Sequence, residues 1–290
     1  MQKQTGLGIW SSTNTLTKSE LADLACSVER RGFQTLWYPE SLSYECFALG
    51  GYLLSQTSNL VVASGIANIY ARDAVTASQG HDGLNHLYGD RFILGLGVSH
   101  VPLVENARGH QYRKPVTTMK KYLRDMEVAT IDATIISTDR SVILAALGPK
   151  MLELASTSAK GALPYCVTPD HTSEARQIMG PNAWLCVEQK ICLTNDKTTA
   201  REVAREQMQR YMALSNYRNN WIRLGFTEEE ITGKGSERFL DAMVVWGTEK
   251  TIQNCIDSHF KGGADQVVLQ AFRPDGVKGT DPRALDAFAT

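Results

Sequence analysis

Four short stretches carry residue types suited to holding and reacting a ligand. Ser64 and Gly65 interrupt the apolar run Leu60-Val61-Val62-Ala63 where a strand would leave the core, and Gly95, Gly97, Ser99 and His100 crowd the end of a second run, Phe92 to Leu96. Glycine at such ends removes bulk and widens the accessible backbone, so backbone or ligand can come close; the plain alternative is that both segments simply turn. Ala145-Ala146-Leu147-Gly148 leads into Pro149 and Lys150. Proline suits a first helical turn, so this junction would aim unsatisfied N–H groups and a positive dipole end at a phosphate, with Lys150 adding charge. The competing account is a capped barrel helix with a surface lysine. Glu40, after Pro39, is a general acid/base if burial or a neighbouring charge brings its pKa toward neutrality, and otherwise a solvated carboxylate. His100 is better placed for ligand contact than His81 and His86, whose helical spacing reads as structural or solvated.

Several chemistries lack their motifs. GLGVS does not have the spacing of a G-x-G-x-x-G dinucleotide turn, and the Gly148 junction is not a Walker A loop. The six histidines form no H-E-x-x-H or close ligand pair, which removes the usual metal signatures. A G-x-S-x-G elbow is also missing. Lys plus Arg number 30 against 31 Asp plus Glu, so no field of one sign exists to gather nucleic acid. Six widely spaced cysteines without a C-x-x-C pair read as buried free thiols of a reducing compartment. No leader or membrane-length apolar run is evident, and cytoplasm is the expected location.

The elements that must position these residues alternate. Strands are expected at 7–10, 35–38, 60–63, 92–96, 142–145, 161–165, within 183–193 and at 265–269, with helices between them. Leu21, Leu24, Ala25 and Val28 give the first helix one apolar face, and Val116, Met119, Leu123 and Met126 do the same for the fourth. Residues 130–141 read as a loop with one short edge strand. The stretch from 199 to 246 is almost wholly helical in pattern, too long for one strand–helix unit, and is expected to be a helical insertion in a single domain covering 1–290. Eight alternating units in a chain of 290 residues with 43% hydrophobic content point to an α/β fold, the (β/α)8 TIM barrel, with a doubly wound sheet as runner-up.

In such a barrel the C-terminal strand ends surround the active site. That rule gathers Trp10, Glu40, Ser64, Gly65, Asn68, Ser99, His100, Gly148, Tyr165 and His171 at one mouth. Trp10 fits ligand stacking and covering the core equally well.

The segments GLGIW, LWYPE, VASGIANIYARDAVTASQG, GDRFILGLGVSH, ILAALGPKMLELA, KGALPYCVTPDHTSEAR and GGADQVVLQ together resemble the bacterial luciferase-like flavin and deazaflavin oxidoreductase superfamily, especially its coenzyme F420-dependent branch. The resemblance spans nearly the whole chain in order. It implies a TIM barrel, a homodimer, and a ring placed against Ser64-Gly65-Ile66, where relatives often have a non-proline cis peptide. It further implies that the cofactor phosphate lies near Ala146-Leu147-Gly148 and the Gly161-Ala162 exit. Several F420-using relatives carry an acid/base after strand two, where this chain departs to Trp37-Tyr38-Pro39-Glu40. The resulting expectation is Glu40 and His100 as catalytic residues. Trp10, Ser64, Gly65, Ile66, Asn68, Ser99, Ala146, Leu147, Gly148, Lys150, Gly161 and Ala162 would bind cofactor, and Tyr44, Tyr165 and His171 a small organic substrate. The implied activity is F420-dependent hydride transfer; alternatives are an FMN-dependent monooxygenase and a barrel that binds flavin without turnover.

Overall fold

A computed structural model describes residues 1–131 and 140–290. The strands are β1 (Gly6–Trp10), β2 (Thr35–Tyr38), β3 (Val61–Ser64), β4 (Ala67–Asn68), β5 (Phe92–Gly97), β6 (Val142–Leu144), β7 (Gly161–Ala162), β8 (Trp184–Leu193), β9 (Val244–Gly247) and β10 (Gln266–Phe272). Neighbours follow the order β10, β1, β2, β3, β5, β6, β7, β8, and β8 then pairs with β10, Val187 opposite Val267. The ring is therefore closed and parallel, an eight-stranded TIM barrel. Two strands stand outside it: β4 extends along β5, and β9 along the end of β8.

The helices are α1 (Lys18–Arg30), α2 (Cys46–Ser55), α3 (Ala74–Tyr88), α4 (Pro115–Glu127), α5 (Pro149–Ser158), α6 (Pro169–Met179), α7 (Lys197–Met212), α8 (Ser215–Arg223), α9 (Glu237–Met243), α10 (Glu249–Lys261) and α11 (Pro282–Ala287). Local sequence explains their limits. Thr17 and Glu20 form a capping box at α1, whose Leu21, Ala25 and Val28 are buried. Asp73 caps α3, and Gly89 ends it in the left-handed region at φ 65.

Alternation along the strands separates two cores. Trp37, Ala63, Ile93, Ile143, Cys186 and Val268 fill the barrel, while Leu36, Val62, Leu94, Leu144, Leu185 and Val267 face the helices. A third cluster joins α7, α8 and α9 over the mouth, with Trp221 stacked on Tyr217 and edge-on to Phe239 at 4.7 Å.

The expected helical stretch at 199–246 needs one correction, because its last residues form β9 rather than helix. Val244 and Val245 pair with Lys190 and Ile191, and a β-branched pair at a helix end is readily recruited to an adjacent strand edge. The expected edge strand near 130–141 falls mostly on residues outside the described ones. All six cysteines are free thiols. Among the described residues, no helix is long and apolar enough to cross a membrane.

Candidate functional site

At the mouth, the chain between β3 and β4 bulges toward the barrel axis, and the Gly65–Ile66 peptide is cis. Its neighbours are hollowed to receive it. A Cβ on Gly95 would overlap the Ser64 carbonyl oxygen, one on Gly97 would overlap the Ile66 side chain, and one on Gly65 would lie 2.7 Å from Trp10 Nε1. The indole of Trp10 donates to the Gly65 carbonyl at 2.9 Å. The glycines of the GLGVS stretch are thus explained by the bulge that packs against them.

Glu40 braces the same bulge. Its backbone N–H donates to the Ile66 carbonyl at 3.3 Å, and its carboxylate accepts from the N–H groups of Asn68 at 2.8 Å and Cys46 at 3.1 Å. Arg72 closes the arrangement as an ion pair with Glu40, the two side chains only 7% and 3% exposed, and reaches Glu45 at 2.9 Å. Both carboxylate oxygens are committed, so Glu40 stands as an anchor of the site's backbone rather than a group open to substrate.

From Gly65 an aromatic wall runs across the mouth. Trp10 packs against Tyr165 at 5.4 Å, Tyr165 hydrogen-bonds Tyr211 at 2.9 Å and donates to Gln270 at 2.7 Å, and Tyr217 bridges to His100 at 5.7 Å. Burial raises the Tyr165 phenol well above its ordinary range, so it remains a donor. Burial also lowers the His100 imidazole, against a hydrogen bond to Asn216 that favours its charged form. Ser99 precedes His100 with a left-handed backbone, φ 58.

Beneath this wall lies a feature that the sequence reading missed. Glu188 and Lys190 point inward from β8, fully buried and 2.9 Å apart. Lys190 also lies 3.1 Å from the Cys166 sulfur and 3.5 Å above the Tyr165 ring, while Glu188 accepts from the Cys166 N–H at 3.0 Å. Burial opposes the lysine's charge, but Cys166 and Glu188 hold the ammonium above its usual range. The available signal was two charged residues two apart in WLCVEQKICL, on the face that Cys186 shares.

Two strands round the ring from β8, after β6, α5 begins at Gly148 with no side-chain cap, and nothing lies within 4 Å of where a Cβ would stand there. The turn before it is held from behind. His171 Nε2 donates to the Leu147 carbonyl at 2.8 Å, joined by Arg223 at 3.3 Å.

Several expected contacts need correction. His171 is 0% exposed, so it shapes the turn and does not meet substrate; burial lowers its pKa. Ser64 is equally enclosed, its hydroxyl donating to the Gly95 carbonyl at 2.8 Å. Asn68 is 3% exposed and its side chain accepts from the Tyr70 N–H, which makes it part of the bulge's support. Gly161 and Ala162 make up the whole of β7, so Ala162 ends it, but both are buried. They lie deep in the wall, where a Cβ on Gly161 would overlap the Trp184 backbone. Ala146 is 2% exposed, leaving the backbone of its turn as the reachable part. Tyr44 is exposed on the β2–α2 connection, its hydroxyl taken up by the Leu16 carbonyl at 2.8 Å. Trp10, Gly65, Ile66, His100 and Tyr165 do come together, and Leu147, Gly148 and the exposed Lys150 share the α5 entrance.

Residues 4–266 match the family described as luciferase-like monooxygenase. Among curated relatives, the 5,10-methylenetetrahydromethanopterin reductase of Methanolobus tindarius is 27% identical over 161 residues, 50% of this chain and 49% of its own. A Mycobacterium tuberculosis protein, provisionally named a coenzyme F420-dependent oxidoreductase, is 27% identical over 117 residues, 40% of this chain and 33% of its own. These matches span half or less of the curated relatives' lengths. The solved coenzyme F420-dependent tetrahydromethanopterin reductase of Methanopyrus kandleri shares the fold, with a TM-score of 0.73 at 17% identity over 99% of this chain and 98% of that one. Matched through every barrel strand but most of the last, the chain belongs to the luciferase-like monooxygenase family.

Proposed function

We propose that the protein is an F420-dependent oxidoreductase that moves a hydride between the deazaflavin and a small organic substrate. The observation that carries this reading is the braced bulge at Gly65–Ile66, facing Trp10 across the mouth of a chain whose curated relatives include a reductase and an F420-named oxidoreductase. The residues present fit such a cofactor. The bulge offers backbone and the Ile66 side chain to a flat ring, and the uncapped, open N-terminus of α5 with Lys150 beside it suits the phosphate of an anionic tail. When bound, F420 would supply the hydride-carrying ring.

The protein's own groups orient and shield. Trp10 and Glu40 fix the bulge, Tyr165 presents a neutral phenol, and the partly buried His100, its pKa lowered by burial, is the neutral imidazole placed to take a proton. Anaerobic titration of the purified protein with F420 and FMN separately tests the reading, with tighter F420 binding expected. Tighter FMN binding, with oxygen uptake coupled to reduced flavin, would establish instead the monooxygenase reading that the family's description favours. Ligand bound but unchanged under both reducing and oxidising conditions would point to a binding protein. We further propose a cytoplasmic homodimer; a sedimentation mass equal to one chain would refute the dimer.

A further inference from the structure

A cavity of about 250 Å³ opens beside the aromatic wall, between the β1–α1 loop, α7 and the β10–α11 loop. It adjoins the mouth directly. Trp10, whose indole holds the bulge, forms part of its wall, and so does Gln270, whose side chain accepts from Tyr165. At its liquid density, water would fill this space with about eight molecules, which is the bulk of a small polyol.

The lining specifies the chemistry of an occupant. Ser12, Thr15 and Gln207 line the cavity, and their side chains make no hydrogen bond within the described residues. These are donor and acceptor groups ready for a ligand, and all are neutral. Charge on the rim is balanced. Arg273 is committed to Asp275 at 2.5 Å, which leaves Glu206 and Lys278 as one charge of each sign. The rim therefore carries no net charge to favour an ion of either sign, while burying an ion would cost solvation. Phe272 and Val277 supply apolar surface for the C–H edges of a ligand whose hydroxyls face the polar side.

We propose that this cavity binds a small, uncharged, multiply hydroxylated compound, as the substrate or the recognised part of the substrate of the oxidoreductase proposed above. The substrate-class assignment rests on that reading, but the pocket's ligand preference does not. Gln270 and Trp10 place such a compound next to the ring-facing wall, so one of its carbons can approach the bulge while the remaining hydroxyls stay in the cavity.

Ligand-observed NMR on the intact protein tests the proposal with erythritol, xylitol and myo-inositol as probes, against pentan-1-ol and gluconate as apolar and anionic comparators. At least one polyol should bind more tightly than both comparators. Gln207→Leu should weaken that polyol about fivefold, the worth of one neutral hydrogen bond, while leaving F420 affinity unchanged. Ser12→Ala provides an independent second variant with the same expected direction. No polyol binding, or polyol binding indifferent to both substitutions in folded protein, overturns the proposal. F420 titrations on the same samples separate the two ideas. Polyol binding without F420 binding removes the cofactor reading and keeps the pocket, and F420 binding without polyol binding does the reverse.

Discussion

The indole N–H of Trp10 and the carbonyl of Gly65 are 2.9 Å apart, a hydrogen bond that ties the end of β1 to the bulge after β3 across the barrel mouth. The same indole nitrogen closes the space that a side chain on residue 65 would need. Trp10→Phe keeps an aromatic ring and removes the donor. It is expected to cost about 1 kcal/mol, about a fivefold change in any equilibrium requiring the bulge in place. Urea unfolding and cofactor titration should both register the loss; an unchanged affinity would show that the bulge holds its shape without Trp10.

Glu40→Gln distinguishes an anchor from an acid/base. Removing the carboxylate leaves Arg72 largely buried with only the more exposed Glu45 as ionic partner, at an expected cost of about 3 kcal/mol. Stability and cofactor affinity should fall together. A proton-transfer role would instead show as a loss of about 100-fold or more in turnover with affinity intact. That second pattern in a folded variant would return Glu40 to the chemistry.

Two glycines are expected to respond in opposite ways. Gly95→Ala drives a methyl into the Ser64 carbonyl oxygen and should cost about 1–3 kcal/mol or more, seen as a lowered unfolding midpoint. A Cβ at Gly148 would meet nothing within 4 Å, and the backbone has an ordinary φ of −88, so Gly148→Val should keep stability within about 0.5 kcal/mol while cofactor binding weakens. Lys150→Ala should give a smaller loss that shrinks with added salt. Unaltered binding in both α5-entrance variants would move the phosphate elsewhere.

The barrel was legible because hydrophobic period and glycine placement survive in one sequence. Leu36, Val62, Leu94 and Val267 fall where the alternation puts them, and the Gly148-Pro149 boundary is the helix start. The side-chain contacts were not legible, because they join residues far apart in sequence. Nothing local to Glu40 shows that Asn68, Cys46 and Arg72 will occupy its carboxylate, nor that His171 will turn to Leu147 instead of the mouth. Gly161 is ambiguous for a related reason. A strand glycine that makes room for a neighbouring strand looks the same in sequence as one that makes room for a ligand.

His259 should make the fold sensitive to mild acid. It is 0% exposed, with ring nitrogens on Gln189 at 2.8 Å and Thr172 at 2.8 Å, and burial lowers its pKa to about 4, with His171 adding to the effect. An unfolded chain titrates this group near pH 6.5, so between that value and about 4 the unfolded state binds the extra proton. Stability is complete above the unfolded value and declines as pH falls through this window, by about 3 kcal/mol at most. Urea midpoints of the wild type and His259→Gln should converge as pH drops from about 7 toward about 4.5, as the wild type loses this contribution. Parallel curves would assign the acid sensitivity to other groups.

The buried pair Glu188–Lys190 should behave as a unit. Lys190→Met strands a carboxylate among Cys166 and the aromatic wall and releases the ring of Tyr165, while Glu188→Gln strands an ammonium that is 1% exposed. Each single substitution is expected to cost about 3–5 kcal/mol, because an uncompensated charge remains where water does not reach. The double variant removes both charges together and keeps side chains of similar volume, so it should cost no more than either single one. A denaturant double-mutant cycle measures this directly, and losses that simply add would show that the two residues contribute independently.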